Sequence, residues 1–112
     1  MSNRRPQLIT GDIGRGMIKH VVFFRFKKDL SAAEREAGIS GLRGLPARID
    51  FIRSFELGED VLKLPRSWDL VLVATFDDLD ALQAYAIHPD HVPVAELLKV
   101  LCDSVGSVDY VF

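Results

Sequence analysis

The stretch WDLVLVATF, residues 68–76, is apolar on both of its alternating sides. Successive side chains of a β-strand point to opposite faces of the sheet. One side of this strand carries five apolar side chains and the other side two: Trp68, Leu70, Leu72, Ala74 and Phe76 on the first, Val71 and Val73 on the second. A strand that is apolar on both sides is buried on both sides. The chain therefore needs a sheet with both faces covered, and this requirement restricts its fold most.

The rest of the chain supplies the partners for this strand. β-Branched and aromatic residues predict further strands at 17–27, 51–57 and 107–112. A capping box at residues 31–34 begins a helix that Pro46 ends, and apolar residues at helical spacing predict helices at 79–87 and 92–101. The first helix carries glycines at positions 38, 41 and 44, and this stripe predicts a close contact with a neighbouring element. The predicted order is β, α, β, β, α, α, β.

This order is typical of an α+β fold in which an antiparallel four-stranded sheet has its helices on one face, the ferredoxin-like sandwich. Helices on one face leave the apolar second face of the sheet uncovered, and soluble monomers rarely expose so large a patch. A homodimer through the sheet face, with two sheets closing an α+β barrel, buries that patch. The sequence therefore predicts both the protomer fold and its partner.

Composition excludes several other function classes. The 112 residues suit one small domain, predicted at 17–112, after a flexible extension at 1–16. A net charge of -2 gives no basic surface for nucleic acid, and no apolar run is long enough to predict a membrane helix. Cys102 lies in an apolar run, which predicts core packing. Because it is the single cysteine, it forms no internal disulfide, which predicts a reducing compartment, the cytoplasm.

The segment HPDH, residues 88–91, presents two histidines around a proline where a helix must stop. His88 is predicted to satisfy the last carbonyls of the preceding helix. His91 is the candidate for a cavity, where an imidazole acts as acid or base near neutral pH. Pro89 interrupts the helix, and no cysteine or acidic cluster supplies further ligands, so no metal site is predicted. The sequence contains no phosphate-binding loop, so no cofactor is predicted.

From residue 17 to 112 the chain resembles the stress-responsive A/B barrel (Dabb) family of the dimeric α+β barrel superfamily. The resemblance is carried by segments in a specific order: IKHVV at 18–22, FK at 26–27, WDLVL at 68–72, FDD at 76–78, AY at 84–85 and HPDH at 88–91. It implies a ferredoxin-like protomer and an obligate dimer, whereas the family's chemistry varies, since it contains plant stress proteins, bacterial domains of unassigned role and polyketide cyclases that need no cofactor. In the plant polyketide cyclases of this family, the last histidine of the HPxH motif and an upstream tyrosine deprotonate a poly-β-keto thioester and hold its oxygen.

By this resemblance, the catalytic candidates are His91 as base and Tyr85 as oxyanion donor, with the strand histidine His20 assisting. The cyclases also place a histidine near the start of the third strand, where this chain has Leu70, so the cyclase set is incomplete here.

Three functions remain open at this level. The first is a homodimer that binds a small apolar or carbonyl-bearing molecule in a cavity near His91, with its specific role unassigned. The second is a cofactor-independent enzyme, polyketide-cyclase-like or monooxygenase-like. The third is a non-catalytic structural or stress-related dimer in which His20 is a hydrogen-bonded core residue. A pocket of several hundred Å³ that reaches His91 favours an enzyme, whereas a filled interior favours the structural dimer.

Overall fold

The computed structural model describes residues 16–112. The elements follow in this order: β1 (Ile18–Phe26), α1 (Ala32–Arg43), α2 (Leu45–Arg48), β2 (Ser54–Glu59), β3 (Leu70–Phe76), α3 (Leu79–Ala86), α4 (Val92–Leu101) and β4 (Cys102–Val111). None of the helices in this part of the chain is long and apolar enough to cross a membrane. The extension predicted at 1–16 lies outside the described residues except for Gly16, so that boundary stays a prediction.

The four strands form one antiparallel sheet in the order β2-β3-β1-β4. In β1 and β3 the even-numbered side chains face the helices, and Phe24, Leu72 and Phe76 are among the most buried residues of the core. Val22 pairs with Leu72 on one side and with Ser107 on the other, which brings the edge strand β4 beside the core. The predicted ferredoxin-like sheet with helices on one face is confirmed.

The opposite, outer face of the sheet is apolar along its middle rows. Val21 pairs with Val73 and with Val108, and the neighbouring row pairs Phe23 with Val71. Val108 is 56% exposed in the single chain, so no element of residues 16–112 covers this face. The two-sided apolar character predicted for the third strand is therefore present in the structure, and the first strand shares it.

The predicted alternation is wrong for Trp68. Because β3 begins only at Leu70, Trp68 precedes the strand and does not follow its alternation. Its ring lies 5.9 Å from the Phe23 ring, on the outer face, with the Arg25 guanidinium 4.3 Å from its centroid.

Several element boundaries differ from the sequence prediction. Helix α1 ends at Arg43 with Gly44 as its C-cap, before Pro46 is reached. Pro46 lies instead in the first turn of the short helix α2, where a missing N–H removes no helical bond. Strand β2 begins at Ser54 rather than at 51, because Phe51 and Ile52 lie in a turn and pack against the core. Strand β4 begins at Cys102 rather than at 107, directly after α4, because pairing with β1 extends it through residues of low strand propensity.

Helix α1 packs closely on α4 along its glycines. A side-chain carbon at Gly38 would lie 2.8 Å from Leu101 Cδ1, and one at Gly41 would lie 3.5 Å from Val94 Cγ1. The Ser31 hydroxyl accepts from the Glu34 N–H at 3.1 Å, and the Glu34 carboxylate accepts from the Ser31 N–H at 3.0 Å. The predicted capping box is confirmed, and the predicted close contact with a neighbouring element is present at Gly38 and Gly41 but not at Gly44.

Candidate functional site

The corner between α3 and α4 brings Tyr85 and His91 together. Tyr85 lies in the last turn of α3, and His91 is the residue before the first turn of α4. The His88 N–H donates to the Tyr85 carbonyl at 3.1 Å, and the His91 N–H donates to the His88 carbonyl at 2.9 Å. These two turns fold the chain back on itself, so the Tyr85 and His91 ring centroids are 4.2 Å apart.

The His91 imidazole is fixed by one hydrogen bond to the backbone. Its Nδ1 lies 3.1 Å from the Ala86 carbonyl oxygen, at the end of α3. A carbonyl only accepts, so Nδ1 carries the hydrogen and Nε2 of the neutral ring keeps its lone pair. Burial lowers the pKa of His91; the Ala86 hydrogen bond opposes this effect, and the charges of His20 and His88 add to it. His91 is therefore a neutral ring near pH 7 with Nε2 available as a base.

Tyr85 is a buried phenol that stays protonated. Only 2% of the residue is exposed, and its ring lies 4.9 Å from the Phe76 ring. Burial raises the pKa of Tyr85 far above its ordinary value. The histidines beside it use their Nδ1 atoms for hydrogen bonds to Asp109 and Ala86, and neither bond involves the phenol. Within residues 16–112 the Tyr85 hydroxyl is thus a neutral donor left for a ligand.

His20 stands on the other side of Tyr85 and is held by a carboxylate. It lies directly opposite Asp109 in the pairing of β1 with β4, and its Nδ1 contacts the Asp109 Oδ1. Its ring meets the Tyr85 ring edge-on, with centroids 5.8 Å apart. The Asp109 carboxylate accepts from His20 Nδ1–H, and this bond fixes the orientation of the ring. The structure thus brings together His20, Tyr85 and His91, the three residues predicted from the sequence.

The capping role predicted for His88 is wrong. Its Nδ1 accepts a hydrogen bond from the Asp90 N–H at 3.0 Å, and its ring lies 6.1 Å from that of Phe51. The side chain that bonds to a carbonyl at the end of α3 is that of His91, because Pro89 turns the chain and brings His91 back beside Ala86. The two histidines therefore divide their roles differently from the prediction: His88 holds the turn, and His91 both caps the helix and faces the cavity.

A cavity of about 210 Å³ lies between the helix face of the sheet and helix α4. Five of its lining residues are polar and seven are apolar; the polar ones are His20, Tyr85, His91, Lys99 and Ser107. This volume is below the several hundred Å³ expected of an enzyme pocket, and below the ~300–1,000 Å³ typical of sites for drug-sized ligands. The interior is nevertheless not filled, and its size suits a small molecule.

Sequence reasoning missed Lys99, Ser107 and Asp109. For Lys99 a signal was present, because it lies four and eight residues beyond Ala95 and His91 and so shares their side of a helix. For Asp109 the sequence showed only that it lies on the same side of the strand as Ser107, since its partner His20 is 89 residues away in the chain.

Other candidate groups do not contribute. Leu70 is 2% exposed, belongs to the core and does not line this cavity, so the start of β3 brings no polar group to it. Burial raises the pKa of the Cys102 thiol to about 11, which makes it an inert packing residue, as the sequence predicts. Among residues 16–112, no group of three or more His, Cys, Asp or Glu side chains is arranged to hold a metal ion.

Comparison with known proteins agrees with this fold. The family model of the stress responsive A/B barrel domain matches residues 18–112. A stress-response A/B barrel domain-containing protein of Arabidopsis thaliana is 31% identical over 98 residues, covering 86% of this chain and 90% of that protein. Olivetolic acid cyclase of Cannabis sativa is 23% identical over 95 residues, covering 83% of this chain and 94% of the cyclase.

Among solved structures, a dimeric protein of unknown function and ferredoxin-like fold from Bacteroides fragilis NCTC 9343 is 33% identical, with a TM-score of 0.74. The match covers 88% of this chain and 99% of that one. Sequence and structure therefore agree across the described residues, and the chain belongs to the stress responsive A/B barrel domain family.

Proposed function

We propose that this chain forms a homodimer that binds a small apolar, carbonyl-bearing molecule in the cavity beside His91 and catalyses proton transfer on it without a cofactor. The hydrogen bond between His91 Nδ1 and the Ala86 carbonyl carries this proposal, because it leaves Nε2 of a neutral imidazole as a base. A base in a small apolar cavity, beside a phenol that stays protonated, is the arrangement that proton abstraction next to a carbonyl requires.

In the proposed step, His91 Nε2 removes a proton from the carbon next to the ligand carbonyl. The C–H bond breaks, an N–H bond forms, and the electron pair moves to the carbonyl oxygen as an enolate. The Tyr85 hydroxyl donates a hydrogen bond to that oxygen, and His20 orients the Tyr85 ring from its other side. A positioned base of this kind typically contributes about 10²- to 10⁴-fold to a rate.

The relatives limit how far the reaction is specified. Olivetolic acid cyclase is named as an enzyme, which supports chemistry within this fold. The histidine expected near the start of the third strand from the polyketide cyclases is absent, because the core residue Leu70 stands there. We therefore propose the proton transfer alone, and not ring closure of a polyketide.

The homodimer is proposed from the outer face of the sheet. Val21, Val73 and Val108 form an apolar row there, and the Bacteroides fragilis structure with this fold is dimeric. Light scattering should give about twice the 12.5 kDa chain mass, and Val108→Asp should shift the protein to monomer. Val100→Asp is the matched control, since Val100 is also exposed but lies on α4. A wild type that is monomeric at micromolar concentration contradicts the dimer.

The cellular location is proposed from the single cysteine. A free, buried Cys102 without a disulfide partner among the described residues fits a reducing compartment, the cytoplasm.

The proposed reaction is tested by proton exchange. Small cyclic and aromatic ketones are screened by thermal shift, and exchange of the protons next to the carbonyl is followed by NMR in D₂O. His91→Asn keeps a donor at the Nδ1 position for Ala86 but removes the Nε2 base, and Tyr85→Phe removes only the hydroxyl. We expect both variants to lose the faster exchange of these protons that the wild type catalyses.

The matched control is His88→Asn, which keeps an acceptor for the Asp90 N–H and does not touch the cavity. We expect this variant to exchange like the wild type. Binding without exchange in the wild type favours the non-catalytic ligand-binding dimer. A panel in which no ketone binds or exchanges contradicts the proposed function.

A further inference from the structure

Three residues of the α4 segment form one line along the cavity wall. His91, Ala95 and Lys99 are spaced by four residues, and all three line the cavity. With a rise of about 1.5 Å per residue, the backbone of Lys99 lies about 12 Å along the helix axis from that of His91. Helical side chains lean toward the N-terminus of their helix, so the Lys99 side chain runs back toward His91 and shortens this distance. The α4 wall of this cavity, the slot, therefore carries an imidazole at its His91 end and an ammonium nearer its Lys99 end.

The opposite wall of the slot runs antiparallel to α4. Strand β4 follows α4 directly, so Val105 lies toward the Lys99 end and Asp109 lies near the His20 end. Val105 and Ser107 line the cavity, whereas the Asp109 carboxylate is engaged by His20 and does not. The middle of the slot is bounded by apolar side chains, including Val22 and Leu98. A ligand there needs an apolar body between its two polar ends.

The side chains that line this slot carry positive charge and no negative charge. No Asp or Glu is among its lining residues, and Lys99 is its only lining residue with a permanent charge. Within residues 16–112, no carboxylate lies within 4.0 Å of the Lys99 ammonium, since the four ion pairs found there involve other residues. Lys99 is exposed, so its methylenes can cover the apolar wall while the ammonium stays at the entrance. An anionic group of a ligand would therefore be attracted to this end.

We infer that the ligand is a small amphiphilic carboxylate whose carbonyl lies beside His91 and whose carboxylate pairs with Lys99. This inference rests on the proposed function for the His91 end and adds the ligand class. Lys99 is then a specificity-determining residue, which selects acids over neutral ketones of the same length. The length of the apolar body is set by the reach from the Lys99 ammonium to His91.

The test compares one acid with its neutral ester. The probes are 7-oxooctanoate, which joins a methyl ketone to a carboxylate through a straight chain, and methyl 7-oxooctanoate. Dissociation constants are measured on the full chain by ¹H–¹⁵N NMR titration, at low and at high salt. We expect the acid to bind about two- to fivefold more tightly than the ester at low salt, the range for one partly exposed ion pair. High salt should reduce this preference because it screens an exposed charge.

Three variants separate the ion pair from general charge effects. Lys99→Gln should remove the preference for the acid, and Lys99→Arg should keep it. Lys28→Gln removes one positive charge from the exposed turn after β1, away from the cavity, and should leave the preference unchanged. Equal binding of acid and ester by the wild type, or the same preference in Lys99→Gln, overturns this inference and leaves the proposed function standing. Failure of both probes to bind overturns the inference and also counts against the proposed ligand site.

Discussion

Replacement of Gly38 by alanine tests the packing that positions α4, and with it the cavity. Two effects of opposite sign compete at this position. Alanine in place of glycine inside a helix is favourable by about 1 kcal/mol. The added carbon would lie 2.8 Å from Leu101 Cδ1 and 3.5 Å from Leu98 Cδ1, and both leucines are buried. Overpacking a closed core of this kind costs about 1–3 kcal/mol.

The cost exceeds the gain, so Gly38→Ala should lower the free energy of unfolding by about 1 kcal/mol. For a domain of this size, that change lowers the Tm by about 4–8 °C. Gly41 provides the contrast, because its added carbon would meet Val94 only at 3.5 Å, an ordinary van der Waals contact. Gly41→Ala should therefore raise the free energy of unfolding by about 0.5–1 kcal/mol.

Urea unfolding followed by circular dichroism measures both variants, at one protein concentration because the proposed dimer would make stability depend on concentration. Ala37→Gly on the exposed side of α1 calibrates the propensity alone and should cost about 1 kcal/mol. The double variant Gly38→Ala/Leu101→Ala removes the clash, so the loss at Gly38 should disappear in that background. Equal stability of Gly38→Ala and Gly41→Ala would refute the reasoning.

Two further predictions concern the histidines of the site. Since the pKa of His91 is lowered below 6.5 in the folded protein, the unfolded chain binds more protons just below that pH. The contribution of His91 to stability is thus full above pH 6.5 and falls as the pH drops toward its folded pKa. Urea unfolding at pH 7.5 and 5.5 should show a larger loss in wild type than in His91→Asn, and equal losses would contradict the lowered pKa. Asp109→Ala should release His20, so long-range ¹H–¹⁵N NMR at pH 8 should show Nδ1–H in the wild type and a mixture of tautomers in the variant; an unchanged spectrum would exclude the orienting role.

The parts of the fold predicted correctly are those whose signal is local. Residues 70–76 are so densely apolar and β-branched that their composition alone predicts β3. The start of β4 was missed because Asp103, Ser104 and Gly106 have little intrinsic tendency to form a strand. Their strand conformation comes from pairing with β1, as in the Val105–Phe24 pair, and a partner so distant in the chain leaves no local pattern.

The residues of the candidate site divide in the same way, into those with a local sequence signal and those placed by a distant partner. His91, Tyr85 and His20 were found because a helix stop, a family motif and strand alternation are readable in the sequence. Asp109 depends on the register between β1 and β4, which fixes it opposite His20. Lys99 shares a helix side with His91, but its importance emerges only when the opposite wall is known to lack a carboxylate.

The HPDH segment has a structural reason for carrying two histidines. In a continued helix the Asp90 N–H would donate to the Ala86 carbonyl, four residues earlier. Proline at position 89 prevents that continuation, so the Asp90 N–H and the Ala86 carbonyl do not bond to each other. His88 Nδ1 accepts from the Asp90 N–H at 3.0 Å, and His91 Nδ1 donates to the Ala86 carbonyl at 3.1 Å. The two imidazoles thus replace the missing backbone bond. Because satisfying the helix end uses only Nδ1 of His91, the same interaction that completes the fold orients Nε2, the proposed base.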